Sequence, residues 1–503
     1  MMKILYDKHI EEYYILPFKD MVTDLRSVKK HVYEPGDVIL VKSYGDTDQH
    51  IWKHFLKIIK YMDIPTFFIN IETSNTTLED DLNKLCEEII PRDGKIKVSL
   101  THGAPVVSQP YINNFDIPDT ICPYPFVNVD IRNNGNITPC CVHIDNENKF
   151  NCNASKDSIS NYLDSDGLKD LKDDFLNGNR PIGCQPCWTF EDQNVPSMRT
   201  KASTVMQDKV FEINYHSTSK DVFALDLKLG TTCNLKCRIC GPNLSSSWYQ
   251  EIKHNFLETD KLPPIKKMDW LIDNSNDFWK EITSHLHNIG YISMQGGEPF
   301  LDRKHYVLLE YLIKNNQTST YIHYNTNGSI YPSELIEILN KFDRVGISFS
   351  IDNIAQKFDY ERFGSNWDIV STNLKKFSNL NRSKFTFDLH PTISVLNILD
   401  ADDIKTLADE LDFGIYFNRL DTPDYFNVLN IPAGKRNFVI NRLNQSKHKI
   451  VTDLTTMLSS KVVYSLNQEF WLEINRIDKV RKENFVTTYP EMSALMRSDD
   501  RNL

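Results

Sequence analysis

The sequence predicts an α/β protein whose largest part is a partial barrel of six strand–helix units, open on one side. From about residue 221 onward, apolar segments of strand length alternate with amphipathic segments of helix length, which is typical of parallel strands with helices outside. Three cysteines follow the first of these strands, and a Gly-Gly turn follows the second. Barrels of the TIM-like kind carry their chemistry at such strand ends.

The boundaries of the six units follow from the spacing of apolar residues. The predicted strands cover 223–230, 290–294, 320–325, 344–350, 385–395 and 414–419. The predicted helices cover 244–255, 277–288, 303–315, 333–341, 367–379 and 402–411. Together they predict a partial (βα)6 barrel over residues 220–431.

Three further regions flank the predicted barrel. Residues 1–115 predict a small α/β domain of unknown role. Its strands are expected at 37–42, 66–71 and 95–100, and its helices at 51–62 and 78–90. Residues 116–195 form a cysteine-rich module in which Asn133–Asn136 predicts a hairpin turn. Residues 432–503 predict helices that pack against the barrel.

Composition narrows the class of protein. The formal net charge of −11 argues against a general nucleic-acid binder, which normally presents a basic face. The sequence holds no window that approaches 18 uninterrupted apolar residues and no apolar signal region at its start, so we expect a cytoplasmic protein without a membrane partner. Ten cysteines in a reducing compartment indicate metal binding rather than disulfides.

The most informative motif is the C-x3-C-x2-C spacing of Cys233, Cys237 and Cys240, directly after the first barrel strand. Three thiolates at this spacing can hold one corner of an iron–sulfur cluster and leave one iron open for chemistry. A zinc site that lacks a visible fourth ligand, or simple burial of the thiols, is the alternative interpretation.

A second set of cysteines lies before the barrel. Cys122, Cys140 and the C-x2-C pair Cys184 and Cys187 can complete a four-thiolate site. Zinc and a [4Fe–4S] cluster both accept four thiolates, and the spacing does not separate them. Cys141 and Cys152 remain outside this set.

The turn after the second barrel strand reads Gly296-Gly297-Glu298-Pro299. Two glycines permit a sharp turn and bring backbone groups close to a ligand. Glu298 adds an acceptor for a cationic group. The combination is informative because the preceding strand–loop unit carries the three cysteines.

These motifs resemble the radical S-adenosylmethionine (radical SAM) enzymes over residues 220–430 or so. The resemblance implies that Cys233, Cys237 and Cys240 hold a [4Fe–4S] cluster whose open iron is chelated by S-adenosylmethionine. It also implies cofactor contacts that follow successive strands. These are Gly296, Gly297, Glu298, Asn327, Ser350, Arg362 and Leu396.

The earlier cysteines are similar to a SPASM or twitch module, which implies an auxiliary cluster at Cys122, Cys140, Cys184 and Cys187. In most relatives such a module follows the barrel, whereas here it precedes it. We prefer a second [4Fe–4S] cluster to zinc.

The family resemblance implies that reductive cleavage of S-adenosylmethionine yields a 5′-deoxyadenosyl radical that abstracts hydrogen from a substrate. A peptide or protein substrate is expected, with flavodoxin or ferredoxin as the type of reducing partner. A radical SAM enzyme that acts on a sugar or nucleotide is one alternative. A zinc-stapled interaction protein is the non-enzymatic one. The sequence does not identify the catalytic acid, base or electron acceptor.

Overall fold

A computed structural model describes two parts of the chain in different detail. Between residues 2 and 101 it describes five strands by their backbone. Beyond them it describes residues 118–144, 149–192, 197–205, 222–255, 275–287, 289–458 and 466–497. The chain divides into two compact units, residues 1–116 and 117–503.

The first unit contains a five-stranded sheet in the order β2-β1-β3-β4-β5. Its strands are β1 (Met2–Tyr6), β2 (Tyr14–Leu16), β3 (Val38–Tyr44), β4 (Thr66–Glu72) and β5 (Ile96–Thr101). Strands β3, β4 and β5 are neighbours that run from the centre of the sheet to one edge. They are parallel and match the three predicted strands. The two helices predicted here, like Cys86, lie outside the described residues.

The strands of the second unit form one large sheet and two short pairs. They are β6 (Asn128–Ile131), β7 (Ile137–Thr138), β8 (Ala224–Lys228), β9 (Lys236–Cys237), β10 (Tyr291–Gln295), β11 (Tyr321–Thr326), β12 (Val345–Phe349), β13 (Arg362–Phe363), β14 (Phe385–Leu389), β15 (Thr392–Ile393), β16 (Gly414–Ile415) and β17 (Asn418–Arg419).

The described α-helices of this unit lie between and after the strands. They are α1 (Tyr124–Val127), α2 (Ile159–Leu163), α3 (Asp166–Leu176), α4 (Gln185–Glu191), α5 (Met198–Val205), α6 (Ser246–Asn255), α7 (Ser275–Thr283), α8 (Tyr306–Lys314), α9 (Ser333–Leu339), α10 (Ala355–Glu361), α11 (Trp367–Ser378), α12 (Ala401–Leu411), α13 (Ala433–Leu443), α14 (Lys449–Thr452), α15 (Thr455–Leu458), α16 (Asn467–Arg481), α17 (Phe485–Thr488) and α18 (Pro490–Met496). None of the helices in the described ranges is long and apolar enough to cross a membrane.

The large sheet has the order β16-β14-β12-β11-β10-β8-β6-β7. The strands from β8 to β16 in this order are parallel, and helices connect them along the chain. This confirms the predicted α/β arrangement of parallel strands with intervening helices. The closure of these strands into a partial barrel stays a prediction.

The structure differs from the prediction at three places. The strand expected over 385–395 breaks at His390-Pro391, since proline has no N–H to donate to a neighbouring strand. The pair β15–β17 then continues as a separate ladder. Helix α10 was not predicted. In addition, β6 of the cysteine-rich module pairs in parallel with β8, so this module extends the main sheet.

The core lies on the helix-covered side of the sheet. Leu225 and Leu227 of β8, Ile292 and Met294 of β10, and Ile347 of β12 are completely or almost completely buried. Successive side chains of a strand point to opposite faces, so the residues between these apolar positions face the other side of the sheet. Those intervening residues are polar, and they form part of the site described next.

Candidate functional site

A cavity of about 1720 Å³ lies at the C-terminal ends of the parallel strands. The three cysteines of the C-x3-C-x2-C motif line it. Of the predicted cofactor contacts, five also line it: Gly296, Gly297, Asn327, Ser350 and Arg362. The structure therefore brings together residues that lie as far apart in the sequence as Cys233 and Arg362.

The backbone of the cysteine loop is fixed by neighbouring elements. β9 pairs with β13, which places Cys237 opposite Arg362. The indole Nε1 of Trp248 donates to the carbonyl oxygen of Cys237 at 2.7 Å. The hydroxyl of Ser247 donates to the carbonyl oxygen of Cys233, also at 2.7 Å. The loop is thus held mainly through its backbone, and Cys233 Sγ also accepts a hydrogen bond from Leu235 N at 3.4 Å.

Burial changes the ionisation of these thiols. It raises the pKa of Cys237 to about 12 and that of Cys240 to about 11, and it also raises the pKa of Cys233. The guanidinium of Arg362 opposes this effect at Cys237, where its Nη1 lies 3.7 Å from Sγ. At neutral pH the metal-free thiols are therefore protonated, and a metal group that binds them must displace their protons.

The Gly-Gly turn after β10 packs directly against the chain that enters the cysteine loop. Gly297 donates its N–H to the carbonyl oxygen of Gly230, and Glu298 donates to that of Thr232, each at 2.8 Å. Gly296 has φ +125°, a conformation that residues with a Cβ rarely adopt. A Cβ on Gly297 would lie 2.2 Å from the Thr232 carbonyl oxygen. The close approach of this turn to the chain before Cys233 therefore requires glycine at both positions.

We expect Gly297→Ala to reduce iron loading at the cysteine loop by roughly 10-fold, the size of effect that misplaced supporting groups have on metal sites. The added methyl group would push the backbone of Thr232, the residue before Cys233, out of place. Iron per chain after anaerobic reconstitution measures the effect. Gly241→Ala is the matched control, because a Cβ there meets nothing within 4 Å. Equal iron contents in the two variants would contradict this role for Gly297.

Glu298 has a different environment from the other predicted cofactor contacts. Its carboxylate is buried and accepts hydrogen bonds from Phe300 N at 3.0 Å, Thr326 Oγ1 at 2.7 Å and Asn327 N at 2.7 Å. Burial raises its pKa to about 6 despite these bonds. In this structure, Glu298 joins the loops that follow β10 and β11.

Leu396 is also buried. Its side chain packs with Ile393, Val395 and their neighbours in a hydrophobic cluster that is separate from the core at the large sheet. The predicted contact of this segment with a cofactor stays a prediction.

A band of polar side chains forms the wall of the cavity on the open face of the sheet. Gln295 Nε2 donates to Asp226 Oδ1 at 2.9 Å and to Ser293 Oγ at 3.1 Å. Ser348 Oγ lies 2.9 Å from His323 Nε2 and 3.3 Å from His390 Nε2, so the hydroxyl links the two rings.

The electrostatics of this polar band are set by burial. Burial raises the pKa of Asp226, and it lowers that of His323 to about 4 and that of His390. The two imidazoles are therefore neutral at pH 7. The Nδ1 of His323 is buried and has no hydrogen-bond partner among the described residues.

The sequence reasoning overlooked most of this polar band. His323, Tyr324, Asp388 and His390 lie near the predicted strand ends, but the sequence does not single out any of them. The structure places both histidines in the cavity wall and Tyr324 in the core. The sequence pattern that indicates the polar band is a polar residue at every second position of an otherwise apolar strand. Asp226 and Lys228 of β8 are examples.

The four earlier cysteines also come together. Cys122, Cys140, Cys184 and Cys187 line one small cavity of about 20 Å³, little more than a water molecule requires. Cys122 precedes α1, and Cys184 and Cys187 lie at the start of α4. Burial raises the pKa of Cys122, Cys140 and Cys184.

The donor set of this small cavity suits a thiolate-bound group, but the enclosed space does not admit a [4Fe–4S] cube unless side chains move. Within the described ranges, no three His, Cys, Asp or Glu side chains are arranged so that they could hold one metal ion. The adjacent Cys141 lines the large cavity instead. Cys152 lines neither of the two cavities.

Comparison with protein families gives a match for most of the region with the parallel strands. Residues 227–409 match the family described as the Radical SAM superfamily. The chain thus contains a radical SAM domain over about a third of its length. No curated protein sequence matches the chain.

Solved structures give partial similarities of low identity. Native anSMEcpe with bound AdoMet is 17% identical with a TM-score of 0.31, over 44% of this chain and 60% of that one. Streptococcus suis SuiB bound to S-adenosylmethionine is 16% identical with a TM-score of 0.32, over 48% and 50%. SuiB bound to its precursor peptide SuiA is 15% identical with a TM-score of 0.30, over 59% and 58%. The chain thus spans between half and two thirds of these proteins, and such values establish neither activity nor substrate here.

Proposed function

We propose that this enzyme holds a [4Fe–4S] cluster at Cys233, Cys237 and Cys240 and binds S-adenosylmethionine beside it. The observation that carries the proposal is that these three cysteines share one large cavity with the Gly296-Gly297 turn at the strand ends. Thiolates are the donors that iron–sulfur clusters use. When bound, the cluster supplies the electron that cleaves S-adenosylmethionine to methionine and a 5′-deoxyadenosyl radical.

One residue beside the cysteine loop has the charge that the carboxylate of S-adenosylmethionine requires. The Arg362 guanidinium lines the cavity and pairs with Asp352 at 2.7 Å, which holds it in one orientation. A fixed guanidinium is a strong partner for a carboxylate, so we assign Arg362 to the carboxylate of the cofactor. Asn327 and Ser350 line the same cavity and carry uncharged hydrogen-bonding groups.

We further propose that the substrate is a peptide or protein segment. The cavity volume of about 1720 Å³ exceeds the 300–1,000 Å³ or so of a pocket for one small ligand, so the cavity has room for a substrate beside the cluster and S-adenosylmethionine. Its wall combines the polar band on the sheet with apolar side chains such as Leu244, Leu454 and Met457. A peptide offers both kinds of partner through its backbone amides and its side chains. A sugar or nucleotide is the alternative substrate.

At the second cysteine site, we propose an auxiliary [4Fe–4S] cluster held by Cys122, Cys140, Cys184 and Cys187. The four cysteines line one small cavity, and their thiols are the donors that a thiolate-bound group uses, which supports such a group after the side chains adjust. The small volume of that cavity favours the second candidate, a zinc ion, which needs its four sulfurs only about 3.8 Å apart at a Zn–S distance of about 2.3 Å. Metal analysis separates the two candidates.

The substrate class can be tested with fractions of a cell extract from the source organism. The reconstituted enzyme receives either the peptide fraction or the small-molecule fraction, and 5′-deoxyadenosine is quantified against a substrate-free reaction. We expect only the peptide fraction to stimulate its formation several-fold, because the cavity has room for a peptide segment. Protease treatment of that fraction is the matched control and should remove the stimulation. Stimulation by the small-molecule fraction alone would contradict a peptide substrate.

A further inference from the structure

A buried arginine connects the cysteine loop to the C-terminal helices. Arg238 lies between Cys237 and Cys240, and its side chain is completely buried. Its Nη2 contacts Asp478 Oδ1 of α16 at 2.5 Å and Glu483 Oε2 at 2.7 Å. This ion pair spans 240 residues of sequence.

The same guanidinium is fixed on its other sides. Its Nε donates to the carbonyl oxygen of Tyr360 at 3.0 Å, and its Cζ lies 3.5 Å from the centroid of the Tyr360 ring. Asp478 is fixed as well, since it also accepts from Tyr360 Oη at 2.8 Å and from Phe485 N at 2.7 Å. Each partner is therefore held by more than one contact, as a buried ion pair requires.

A second bridge runs parallel to the first. Glu251 of α6 lies 2.9 Å from Lys236 in the cysteine loop and 2.9 Å from Arg481 at the end of α16. The Arg481 guanidinium lies 4.7 Å from the ring of Trp248, whose indole donates to the Cys237 carbonyl oxygen. Both residues that flank Cys237 are thus tied to the C-terminal helices.

The charges of the two bridges balance. The three cations Lys236, Arg238 and Arg481 face the three carboxylates Glu251, Asp478 and Glu483. Burial of unpaired charge is strongly unfavourable, whereas general packing of a helix on a barrel needs only apolar contacts. A balanced buried network at this one place indicates that the geometry of the loop depends on the helix.

We propose that α16 and α17 are a positioning element for the cysteine loop, with Asp478 as its main anchor. These helices lie outside residues 227–409, which match the family, so they are an addition that this chain makes to its radical SAM domain. The helices hold the loop in its ligand-ready form before a metal group arrives. The proposal rests on the proposed function in assigning the loop to a cluster, but the positioning itself is a property of the metal-free protein.

The first test uses the metal-free full chain and hydrogen–deuterium exchange of the segment 233–245. Asp478→Asn keeps the size of the side chain and removes its charge, and we expect exchange in this segment to become at least severalfold faster. Glu473→Gln is the matched control, because Glu473 lies on the same helix but pairs with the exposed Arg476. Unchanged exchange in the loop of Asp478→Asn, with faster exchange confined to α16, would overturn the proposal.

A second variant covers the case in which Asp478→Asn does not fold. Glu483→Gln removes the other, more exposed carboxylate, and it should accelerate exchange in the loop by a smaller factor. Normal exchange in the loop of this variant would then overturn the proposal.

The reduction potential of the loaded protein gives an independent readout. The loss of the Asp478 charge leaves the network with one excess positive charge, and positive charge stabilises a reduced cluster. The reduction potential of the cluster at the cysteine loop should therefore rise in Asp478→Asn. It should stay unchanged in Glu473→Gln. An unchanged potential in Asp478→Asn would contradict the electrostatic part of the proposal. If the wild-type protein takes up no iron but the exchange result holds, the positioning role stands and the proposed function fails.

Discussion

Cys237→Ala should lower the iron content from about eight to about four atoms per chain and abolish 5′-deoxyadenosine formation. Cys237 is half-buried at the centre of the loop, opposite Arg362, and it lines the cavity together with Cys233 and Cys240. We expect a rate loss of roughly a hundredfold or more, because even outer-sphere partners of a metal site contribute about 10- to 100-fold.

Cys152→Ala is the control for this experiment, since Cys152 lines neither cavity. It should keep the wild-type iron content and rate. If Cys237→Ala retained both clusters and normal cleavage of S-adenosylmethionine, the three-cysteine loop would not be the cluster site.

Cys187→Ala should have the complementary effect. Its thiol is buried in the small cavity with Cys122, Cys140 and Cys184. We expect iron to fall from about eight to about four atoms while substrate-free cleavage of S-adenosylmethionine continues, because the two cysteine sites line separate cavities. Iron analysis and chromatography of 5′-deoxyadenosine measure the two quantities.

Cys141→Ala is the matched control at the second site. Cys141 follows Cys140 in the sequence but lines the large cavity. The loss of its thiol should therefore leave the iron and zinc contents of the protein unchanged. If Cys187→Ala leaves iron at about four atoms and instead removes about one zinc per chain, the auxiliary site holds zinc. If it removes neither metal, these four cysteines are a structural cluster of thiols.

The strands and the motif-bearing loops were predictable because their signals are local. Strands β8, β10, β11 and β12 overlap their predicted ranges, since each has an apolar run bounded by a turn. The convergence of the cysteine loop and the Gly296-Gly297 turn followed from the rule that parallel strands end on one edge. The loops lie where this rule puts them.

The features that were not predicted depend on contacts between distant segments. The pairing of β6 with β8 joins residues about a hundred positions apart, and no local pattern specifies that partner. The same holds for Arg238, which looks like an exposed loop residue in the sequence but is neutralised by Asp478 and Glu483. The bonds of the Glu298 carboxylate to Phe300 N and Asn327 N were likewise not predicted, and its contact with a ligand stays a prediction.

The polar band was predictable from the sequence, because side chains of a strand alternate between the two faces of a sheet. The sequence analysis uses this alternation only for the apolar face. Ser293 and Gln295 alternate with buried Ile292 and Met294, and this alternation places them on the opposite side of the sheet. The link from His323 through Ser348 to His390 was not predictable in the same way, because it depends on three different strands or strand ends.

We propose that the cysteine loop holds a cluster to which S-adenosylmethionine binds directly. Electron paramagnetic resonance of the reconstituted, dithionite-reduced protein with and without S-adenosylmethionine tests it most directly. We predict a [4Fe–4S] signal with one component that changes when S-adenosylmethionine is added, and we predict that Cys237→Ala loses this component and keeps only the signal of the auxiliary site. A protein that contains zinc and no iron, or a cluster signal that S-adenosylmethionine leaves unchanged, would contradict the claim.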